Sequence, residues 1–309
     1  NAPSGAKTEA QKQEATRQIP AEKPKEEHVT VEILDATGKV IRTYPPKQPT
    51  VTESQNEEAG EGFMRQAQPN PTGNSGLNRF VWNLRYEDSA KVPGAVLWGG
   101  SNNGPVAVPG NYQVRLTVHG KTYTQPLEVK ADPRLKVEQA DLQKQFDLLL
   151  QIRDQVTRID EAINQMNSVK KQVDDLEKRL PKDDHGKAIR DASRNLTQKI
   201  EPIQDALIQS KAKSSQDVLN YPIRLNNELV ALAGSVSSAD AAPTEQSHQV
   251  FNLLKQRSDE FVSKWDELVR SDVASFNQLV RQQDVQAIIL DTSAASGATA
   301  AGGGERDEK

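Results

Sequence analysis

The spacing of apolar residues changes once along this chain, and the change divides it into two parts with different secondary structure. Before the stretch "ADPRL" at residues 131–135, apolar residues alternate with polar ones, which is the period of a strand with one buried face. After this stretch, apolar residues recur at steps of three and four, which is the period of an α-helix. The sequence therefore predicts an α+β multidomain chain in which a β domain precedes a helical domain.

Two β-hairpins are predicted in the first part. The alternating run "VTVEIL" is followed by the turn-forming "DATGK" and by a second strand, "VIRTY". The run "YQVRLTV" is followed by "HGK" and by a return strand whose Tyr123, Leu127 and Val129 share one face. Each hairpin has one apolar and one polar face, as expected for an antiparallel sheet with one solvated side.

An aromatic run lies between the two hairpins, in a chain that is only 5% aromatic. In "LNRFVWNLRY", the residues Phe80, Trp82, Leu84 and Tyr86 alternate with mostly polar ones, and this pattern predicts a strand. Several short strands within about a hundred residues are typical of a β-sandwich, in which such aromatics form the inner face. We therefore predict an Ig-like antiparallel β-sandwich over residues 28–131, with the aromatic run in its core.

A long helical hairpin is predicted at the start of the second part. The apolar series from Leu142 to Leu180 predicts one helix of roughly 60 Å, at 1.5 Å per residue. The stretch "PKDDHG" ends this helix, and a second apolar series follows from Ile189 to Leu207, with Pro202 expected to kink it. The two helices are expected to pack against each other in antiparallel orientation.

Two further helices complete the predicted helical bundle, which spans residues 132–290. The first lies in "SSQDVLNYPIRLNNELVALAGSV", where Pro222 permits helix only near a start, and its apolar series includes Leu219. The second begins near Thr244 in "TEQSHQV", which resembles an N-cap, and its apolar series includes Val250 and Leu253. Phe276, with Leu279 and Val280, continues or restarts this last helix.

Three segments lack the apolar residues that a packed core needs. Residues 1–27 are predicted to be a disordered linker, and residues 45–76 a flexible insertion within the sandwich. Residues 291–309 are low in complexity and are predicted to form a disordered tail.

Composition and charge exclude several functional classes. The net charge of −4 provides no basic field for nucleic acid, and the absence of cysteine excludes disulfides and thiolate metal sites. No run approaches the roughly 20 apolar residues that a membrane span requires. The four histidines show no metal-ligand spacing, no nucleophile motif is present, and acidic clusters are mixed with lysine and arginine. We therefore expect no catalytic residue, no metal and no cofactor.

Two aromatic residues are candidates for binding a ligand. Trp98 lies in "AVLWGGSNNGPVAVPG", whose Gly, Pro and Asn content predicts a loop, and Tyr123 lies on the return strand of the second hairpin. Exposed aromatic rings stack on sugars, so these residues support an alternative function as a carbohydrate-binding module. The same glycine-rich stretch lacks the Lys-Ser/Thr ending and the following helix of a phosphate-binding loop.

Longer phrases of the chain resemble a known group of proteins. "GLNRFVWNLRY", "PGAVLWGGSNNGPVAVPGNYQVRLTVHGK" and "SSQDVLNYPIRLNNELVALAG" are similar to the C-terminal region of large exported bacterial proteins with an N-terminal sortilin-type β-propeller. These are often labelled BNR-repeat or glycosyl-hydrolase-like proteins, and the resemblance spans roughly residues 28–285. The single phrase "PGNYQVRLTV" is general to Ig-like modules.

The resemblance implies a location and a partner for this chain. It implies a secreted, periplasmic or cell-surface bacterial protein, in which this region packs against or orients the propeller and docks other exported proteins or glycans. The Asp-box repeats of the propeller, with the pattern Ser-x-Asp-x-Gly-x-Thr, do not occur in this sequence. The resemblance therefore implies a non-catalytic accessory module, and it transfers no catalytic residue to this chain.

Overall fold

The computed structural model describes residues 29–46, 71–180 and 184–283. Four strands form one antiparallel sheet in the order β2-β1-β3-β4. The strands are β1 (Val29–Leu34), β2 (Val40–Tyr44), β3 (Gly110–Val118) and β4 (Lys121–Val129). Both predicted hairpins are confirmed, and β1 joins them by pairing with β3.

The turns of both hairpins follow from local chemistry. Between β1 and β2, the Asp35 carboxylate accepts hydrogen bonds from the backbone N–H groups of Thr37 at 2.9 Å and Lys39 at 3.0 Å. Between β3 and β4, His119 and Gly120 have φ angles of 51° and 75°. Two successive positive φ angles match the right-handed twist of the flanking strands, so this two-residue turn sets the register of β3 and β4.

The sheet has one apolar and one polar face. Val31 lies opposite Leu116, and Leu116 lies opposite Tyr123, so all three side chains point to the same face. On the other face, the Arg115 guanidinium binds the Glu32 carboxylate, with Nε 2.7 Å from Oε2. The predicted alternation of the hairpin strands is thus confirmed.

The prediction of a strand over the aromatic run is wrong. Residues 77–84 form no ladder, and a single antiparallel bridge joins Arg85 to Val106. Leu84 has a φ of 58°, which breaks the alternation and leaves its side chain 39% exposed. The rings of Phe80, Trp82 and Tyr86 nevertheless pack against the apolar face of the sheet, as the core interpretation predicts.

The α+β class is confirmed, but a two-sheet sandwich is not. Among the described residues, irregular backbone covers the apolar face at the place where a sandwich would have its second sheet. Tyr44 and Phe80 meet edge to face at a ring distance of 4.7 Å, and Trp82 and Tyr112 at 5.7 Å. These aromatic contacts fill the layer without a hydrogen-bonded ladder.

In the described part of the chain, four helical segments follow the sheet, and the last of them contains a π-helical turn. They are α1 (Gln139–Glu177), α2 (Asp184–Leu207), α3 (Leu225–Val236) and α4 (Glu245–Leu268), and α4 continues through a π-helical turn (Val269–Val273) into α5 (Ala274–Gln282). The Thr244 side chain accepts a hydrogen bond from the backbone N–H of Ser247, which confirms the predicted N-cap. Helix α2 passes through Pro202, and α3 begins three residues after Pro222.

The helices share one apolar core. Their stripes meet around Ile152, Met166, Ile200, Leu229 and Trp265, each fully buried. Three residues assigned to the apolar series are instead exposed: Leu219, Val250 and Leu253. Leu219 lies in a short 3₁₀ turn (Ser215–Leu219), and the other two lie on the outer side of the first turns of α4, so the period of three and four does not align them with the core.

Several predicted segments lie outside the described residues. The disordered linker at 1–27, most of the flexible insertion at 45–76 and the disordered tail at 291–309 belong to this group and stay predictions. The predicted boundary after residue 131 falls in the connection between β4 and α1. The division into separate folding units also stays a prediction.

Candidate functional site

The two sequence-predicted ligand residues are both exposed but lie on different elements. Trp98 is 51% exposed and lies in the irregular segment between the hairpins, against α3. Tyr123 is 57% exposed and lies on the edge strand β4, opposite Leu116. Among the described residues, the ring contacts join other aromatic pairs, and neither Trp98 nor Tyr123 is in one of them. The structure does not bring these two residues together in one platform.

The segment from Glu87 to Gly104, which we call the connecting segment, binds the helices through its backbone. Side chains of α1 and α3 supply most of these hydrogen bonds, which satisfy backbone groups that have no partner in a sheet or helix. The bonds are Arg153 Nη1 to Glu87 O at 3.0 Å, Ala90 N to Thr157 Oγ1 at 3.2 Å, Asn164 Nδ2 to Lys91 O at 3.0 Å, Trp98 N to Asn227 Oδ1 at 2.9 Å and Asn227 Nδ2 to Trp98 O at 2.6 Å. The connecting segment therefore fixes the sheet to the helices.

A buried ion pair fixes both ends of the connecting segment to the sheet. The Arg42 side chain on β2 is 4% exposed, and its Nη1 lies 2.9 Å from the Asp88 carboxylate and 2.8 Å from Tyr86 O. The backbone N–H of Gly104 donates to the same carboxylate at 3.1 Å. Burial alone would raise the pKa of Asp88, but the hydrogen bonds from Arg42 and Gly104 outweigh burial and lower this pKa.

Three glycines permit the backbones to approach closely. A Cβ on Gly100 would lie 2.2 Å from the carbonyl oxygen of Val230 in α3, and one on Gly104 would lie 2.3 Å from that of Tyr86. A Cβ on Gly234 in α3 would lie 2.6 Å from the carbonyl oxygen of Gly99. The glycine-rich stretch around Trp98 thus packs backbone against helix, where any side chain would collide.

A buried carboxyl group lies where the connecting segment meets α1 and α3. Asp160 on α1 is 2% exposed, and its two oxygens each lie 3.4 Å from an amide nitrogen, one of Asn102 and one of Asn226. Burial raises the pKa of Asp160 to about 7, and the two amide hydrogen bonds offset only part of that rise. Asp160 is therefore largely protonated at pH values below neutral.

A cleft of about 430 Å³ opens between the sheet, the end of the connecting segment and the helices, and we call it the junction cleft. Residues 100–109 form one wall, the start of α1 forms another, and residues 129–132 and α3 complete it. Its apolar lining includes Leu84, Val106, Leu135, Leu142, Phe146 and Leu149. A concave, mostly apolar site of this volume is within the range of known ligand pockets.

The rim of the junction cleft exposes more apolar surface than a packed interior would. Leu84, Val106 and Leu135 are 39%, 47% and 51% exposed, respectively, and all three line the cleft. Leu84 also has the left-handed backbone conformation, which is costly for a leucine. Exposed apolar side chains grouped around a concavity are typical of an interaction site.

Polar side chains also line the junction cleft, and two of them differ in how their donors are used. Arg85 lines it and donates from Nη1 to the Gly104 carbonyl at 2.9 Å. Gln145 on α1 donates to the carbonyl of Val236, the last residue of α3, at 2.8 Å and to that of Ala239 at 2.5 Å. These bonds occupy both N–H groups of the Gln145 amide, whereas the Arg85 guanidinium has further N–H donors.

The cleft has the chemistry of a binding site. Within residues 29–46, 71–180 and 184–283, no three His, Asp or Glu side chains group closely enough to hold a metal ion. In the same ranges, no helix is both long and apolar enough to cross a membrane. Asp160, whose pKa burial raises to about 7, does not line the cleft. The lining supplies apolar contact, backbone groups and charged side chains of both signs, namely Arg85, Lys130, Arg153, Asp132 and Asp240.

Comparison with known proteins gives no relative from which a function can be transferred. The chain matches no protein-family model, no curated protein and no solved structure.

Sequence patterns did not indicate the junction cleft. Its walls come from residues around 84–109, 129–156 and 230–240, which are far apart in the chain. The available signal was the glycine and asparagine content of "GGSNNG", which marked a loop but not the helix against which it packs. Asp160 had no signal, since it lies in a helix among other charged residues.

Proposed function

We propose that this chain is a non-catalytic interaction module of an exported bacterial protein whose N-terminal part is a sortilin-type β-propeller. In this proposal, the module packs against or orients the propeller and docks further exported proteins at the cell surface or in the periplasm. The observation that carries the docking role is the junction cleft, with its three exposed apolar side chains on the rim. The assignment to such a parent protein is supported by the resemblance of "GLNRFVWNLRY" and the two longer phrases to the C-terminal region of these proteins.

The finer architecture belongs to the same proposal. We propose that the four-stranded sheet and the aromatic layer over it correspond to an Ig-like β-sandwich. We also propose that the helices form an antiparallel bundle with α1 and α2 as its long hairpin. The ring contacts of Tyr44 with Phe80 and of Trp82 with Tyr112 support a sandwich-like core. The single apolar cluster shared by α1 to α5 supports a bundle.

The absence of catalysis is proposed from the placement of the carboxyl groups. Glycoside hydrolysis uses two carboxyl groups about 5 to 10 Å apart across an accessible cleft. Asp160 is 2% exposed and its oxygens face the amides of Asn102 and Asn226. Asp132, which lines the junction cleft, is bound by Arg134 through both oxygens, at 3.1 and 2.5 Å on Oδ2 and 2.9 Å on Oδ1. These placements favour binding over acid–base chemistry.

The test of this proposal is direct. The coding sequence upstream of residue 1 is read for Asp-box repeats, and the upstream part is co-expressed with the chain and co-purified by a tag on one partner. We expect a stable complex, and weaker retention when Leu135→Asp places a charge on the rim. The control is Val81→Asp, since Val81 is 58% exposed and does not line the cleft. An upstream region without propeller repeats, or turnover of a glycoside by the purified chain, would contradict the proposal.

A carbohydrate-binding module is the second candidate, and the exposure of two aromatic rings favours it. Trp98 and Tyr123 are 51% and 57% exposed, so each is partly accessible to a sugar. Titration with oligosaccharides, followed by tryptophan fluorescence, tests this alternative. Binding that is lost in Trp98→Ala or Tyr123→Ala, and retained in Leu135→Asp, would favour the carbohydrate function over the docking function.

A further inference from the structure

The backbone at Val106 has an unused hydrogen-bonding edge. Tyr86 N donates to Pro105 O at 3.0 Å and Ala107 N donates to Leu84 O at 2.7 Å, on either side of the bridge between Arg85 and Val106. In an antiparallel pair, hydrogen bonds come from alternate residues, so the N–H and C=O of Val106 face away from residues 84–86. Among the described residues, neither group has a hydrogen-bond partner. This edge is therefore open to another strand.

The open edge lies along the junction cleft. Residues 100–109 form a continuous wall of the cleft, and Val106 lies within this wall with its side chain 47% exposed. Leu135 and Phe146 line the same cleft. A strand added at Val106 would place alternate side chains into this apolar space and the others toward solvent.

The charge at the edge selects among possible peptides. The Arg85 side chain makes one hydrogen bond, to the Gly104 carbonyl, and no carboxylate of the described residues lies within ion-pair distance of it. By contrast, the other two cations that line the cleft each pair with a carboxylate of this chain, Lys130 with Glu128 and Arg153 with Asp154. A guanidinium with unused donors at the rim of an apolar cleft is complementary to an acidic side chain or a peptide carboxylate.

We propose that the junction cleft binds an extended peptide of a partner protein, which adds as a strand at Val106 and places an acidic group on Arg85. The open edge is Val106 itself, because the carbonyls of Gly104 and Val108 already accept hydrogen bonds from the Arg85 guanidinium and the Tyr112 hydroxyl. The bound segment therefore pairs with Val106 and carries apolar residues on either side of the acidic one. This inference rests on the proposed docking function and names the chemistry of the docked partner.

The experiment uses two pools of soluble heptapeptides and the full chain. Both pools vary Val, Ile, Leu and Phe at alternate positions between Ser and Thr, and they differ only in a central Asp or a central Lys. The immobilised chain is incubated with each pool, and the retained peptides are quantified by mass spectrometry. We expect at least tenfold greater retention of the Asp pool than of the Lys pool, because Arg85 pairs with the acid. Retention of neither pool above that of a blank surface overturns the proposal.

Substitutions test the charge of Arg85 and the apolar lining of the cleft separately. Arg85→Glu should reverse the preference between the two pools, and Leu135→Asp should lower retention of the Asp pool at least tenfold. Val81→Asp is the matched control, since it also places a charge on an exposed apolar residue but lies outside the cleft lining. Equal losses in Leu135→Asp and Val81→Asp would place the binding elsewhere and overturn the proposal. Circular dichroism checks that each variant is folded.

N-methylation of the selected peptide tests the strand geometry. Methylation of the backbone nitrogens that face Val106 should abolish binding, whereas methylation of the alternate nitrogens should change the affinity less than threefold. Equal tolerance of both patterns would mean that the cleft binds apolar side chains without strand addition, as it would a small apolar acid, and would overturn the proposal.

The proposed function and this inference fail in distinguishable ways. If the complex with the propeller forms but neither peptide pool is retained, the chain is an interaction module and the proposed peptide binding in the junction cleft is refuted. If the peptides are retained and the variants behave as expected but no complex with the propeller forms, the proposed parent protein is refuted and the peptide site is supported.

Discussion

Replacing Asp160 by asparagine should make the stability of this protein less dependent on pH. Asp160 is 2% exposed, and among the described residues its carboxyl group has the amide donors of Asn102 and Asn226 within hydrogen-bond distance. Burial raises the pKa of Asp160 from the ordinary 3.8 to about 7. Asparagine has nearly the same shape and can accept one of these bonds, but it has no proton to lose.

The direction and size of the effect follow from this raised pKa. Because the pKa of Asp160 is higher in the folded than in the unfolded protein, the folded state holds the proton more strongly between pH 3.8 and about 7. The stabilisation is complete below pH 3.8 and is lost as the pH rises through 7. The difference between a pKa of 3.8 and one of about 7 corresponds to about 4 kcal/mol of unfolding free energy, at about 1.36 kcal/mol for each pH unit. This loss should be absent in Asp160→Asn.

The assay is urea unfolding of the two proteins at half-unit steps from pH 4 to pH 8.5. The free energy of unfolding of Asp160→Asn minus that of the parent chain should rise by about 4 kcal/mol across this range. Thr157→Val is the control, because it removes the hydrogen bond to Ala90 N without removing a titrating group. Its cost of about 1 to 2 kcal/mol should be the same at every pH. An Asp160→Asn difference that stays flat within about 1 kcal/mol would show that Asp160 is ionised in the folded protein, and the reasoning would be wrong.

The remaining predictions concern packing and are measured by thermal or urea unfolding. Gly100→Ala should cost about 2 to 3 kcal/mol, because the new Cβ would lie 2.2 Å from the carbonyl oxygen of Val230, whereas Ser101→Ala should change stability by less than about 0.5 kcal/mol. Trp82→Ala should cost about 2 to 3 kcal/mol, since the half-buried ring loses its edge-to-face contact with Tyr112. The packing role of Gly100 would be contradicted if Gly100→Ala were as stable as the parent chain. That of Trp82 would be contradicted if Trp82→Ala kept its stability and lost glycan binding.

The hairpins and helices were predictable because their sequences satisfy local and periodic rules together. In β1 and β2, alternation agrees with the turn chemistry of "DATGK", and Asp35 makes the hydrogen bonds that such a turn needs. In α1, a stripe of apolar residues continues for 39 residues without an internal glycine or proline. Where the hydrophobic period agrees with the positions of turn-forming and helix-breaking residues, the secondary structure can be predicted without knowledge of tertiary contacts.

The aromatic run failed because alternation does not specify hydrogen bonding. Phe80, Trp82 and Tyr86 point toward the sheet as a strand would place them, but their backbone forms no ladder. The Trp82 indole N–H donates to the carbonyl of Arg85 at 3.0 Å, and this local bond is compatible with the left-handed turn at Leu84. A side chain to backbone bond of this kind competes with strand pairing and has no signature in hydrophobic period.

The buried polar groups were unpredictable for a different reason. Asp88 and Asp160 do not differ from other acidic residues in the local sequence. Their structural roles come from tertiary contacts, of Asp88 with Arg42 and of Asp160 with Asn102 and Asn226. The partners are separated from them by 46, 58 and 66 positions. A single sequence carries no record of such pairs, because residue type and local spacing do not encode long-range contacts.

The way in which the sheet is joined to the helices determines where a binding site can lie. The two apolar clusters are separate, and the connecting segment joins them by hydrogen bonds from side chains to its backbone and by packing of Val92, Ala95 and Leu97 against the helices. Where the clusters adjoin, Tyr86 and Phe146 meet edge to face at a ring distance of 4.7 Å, and Phe146 also lines the junction cleft. The lining includes Ala107 of the sheet cluster together with Ile152 and Val156 of the helical cluster. A ligand bound in the junction cleft would therefore contact both clusters at once, and its binding energy would depend on the connecting segment that holds them in place.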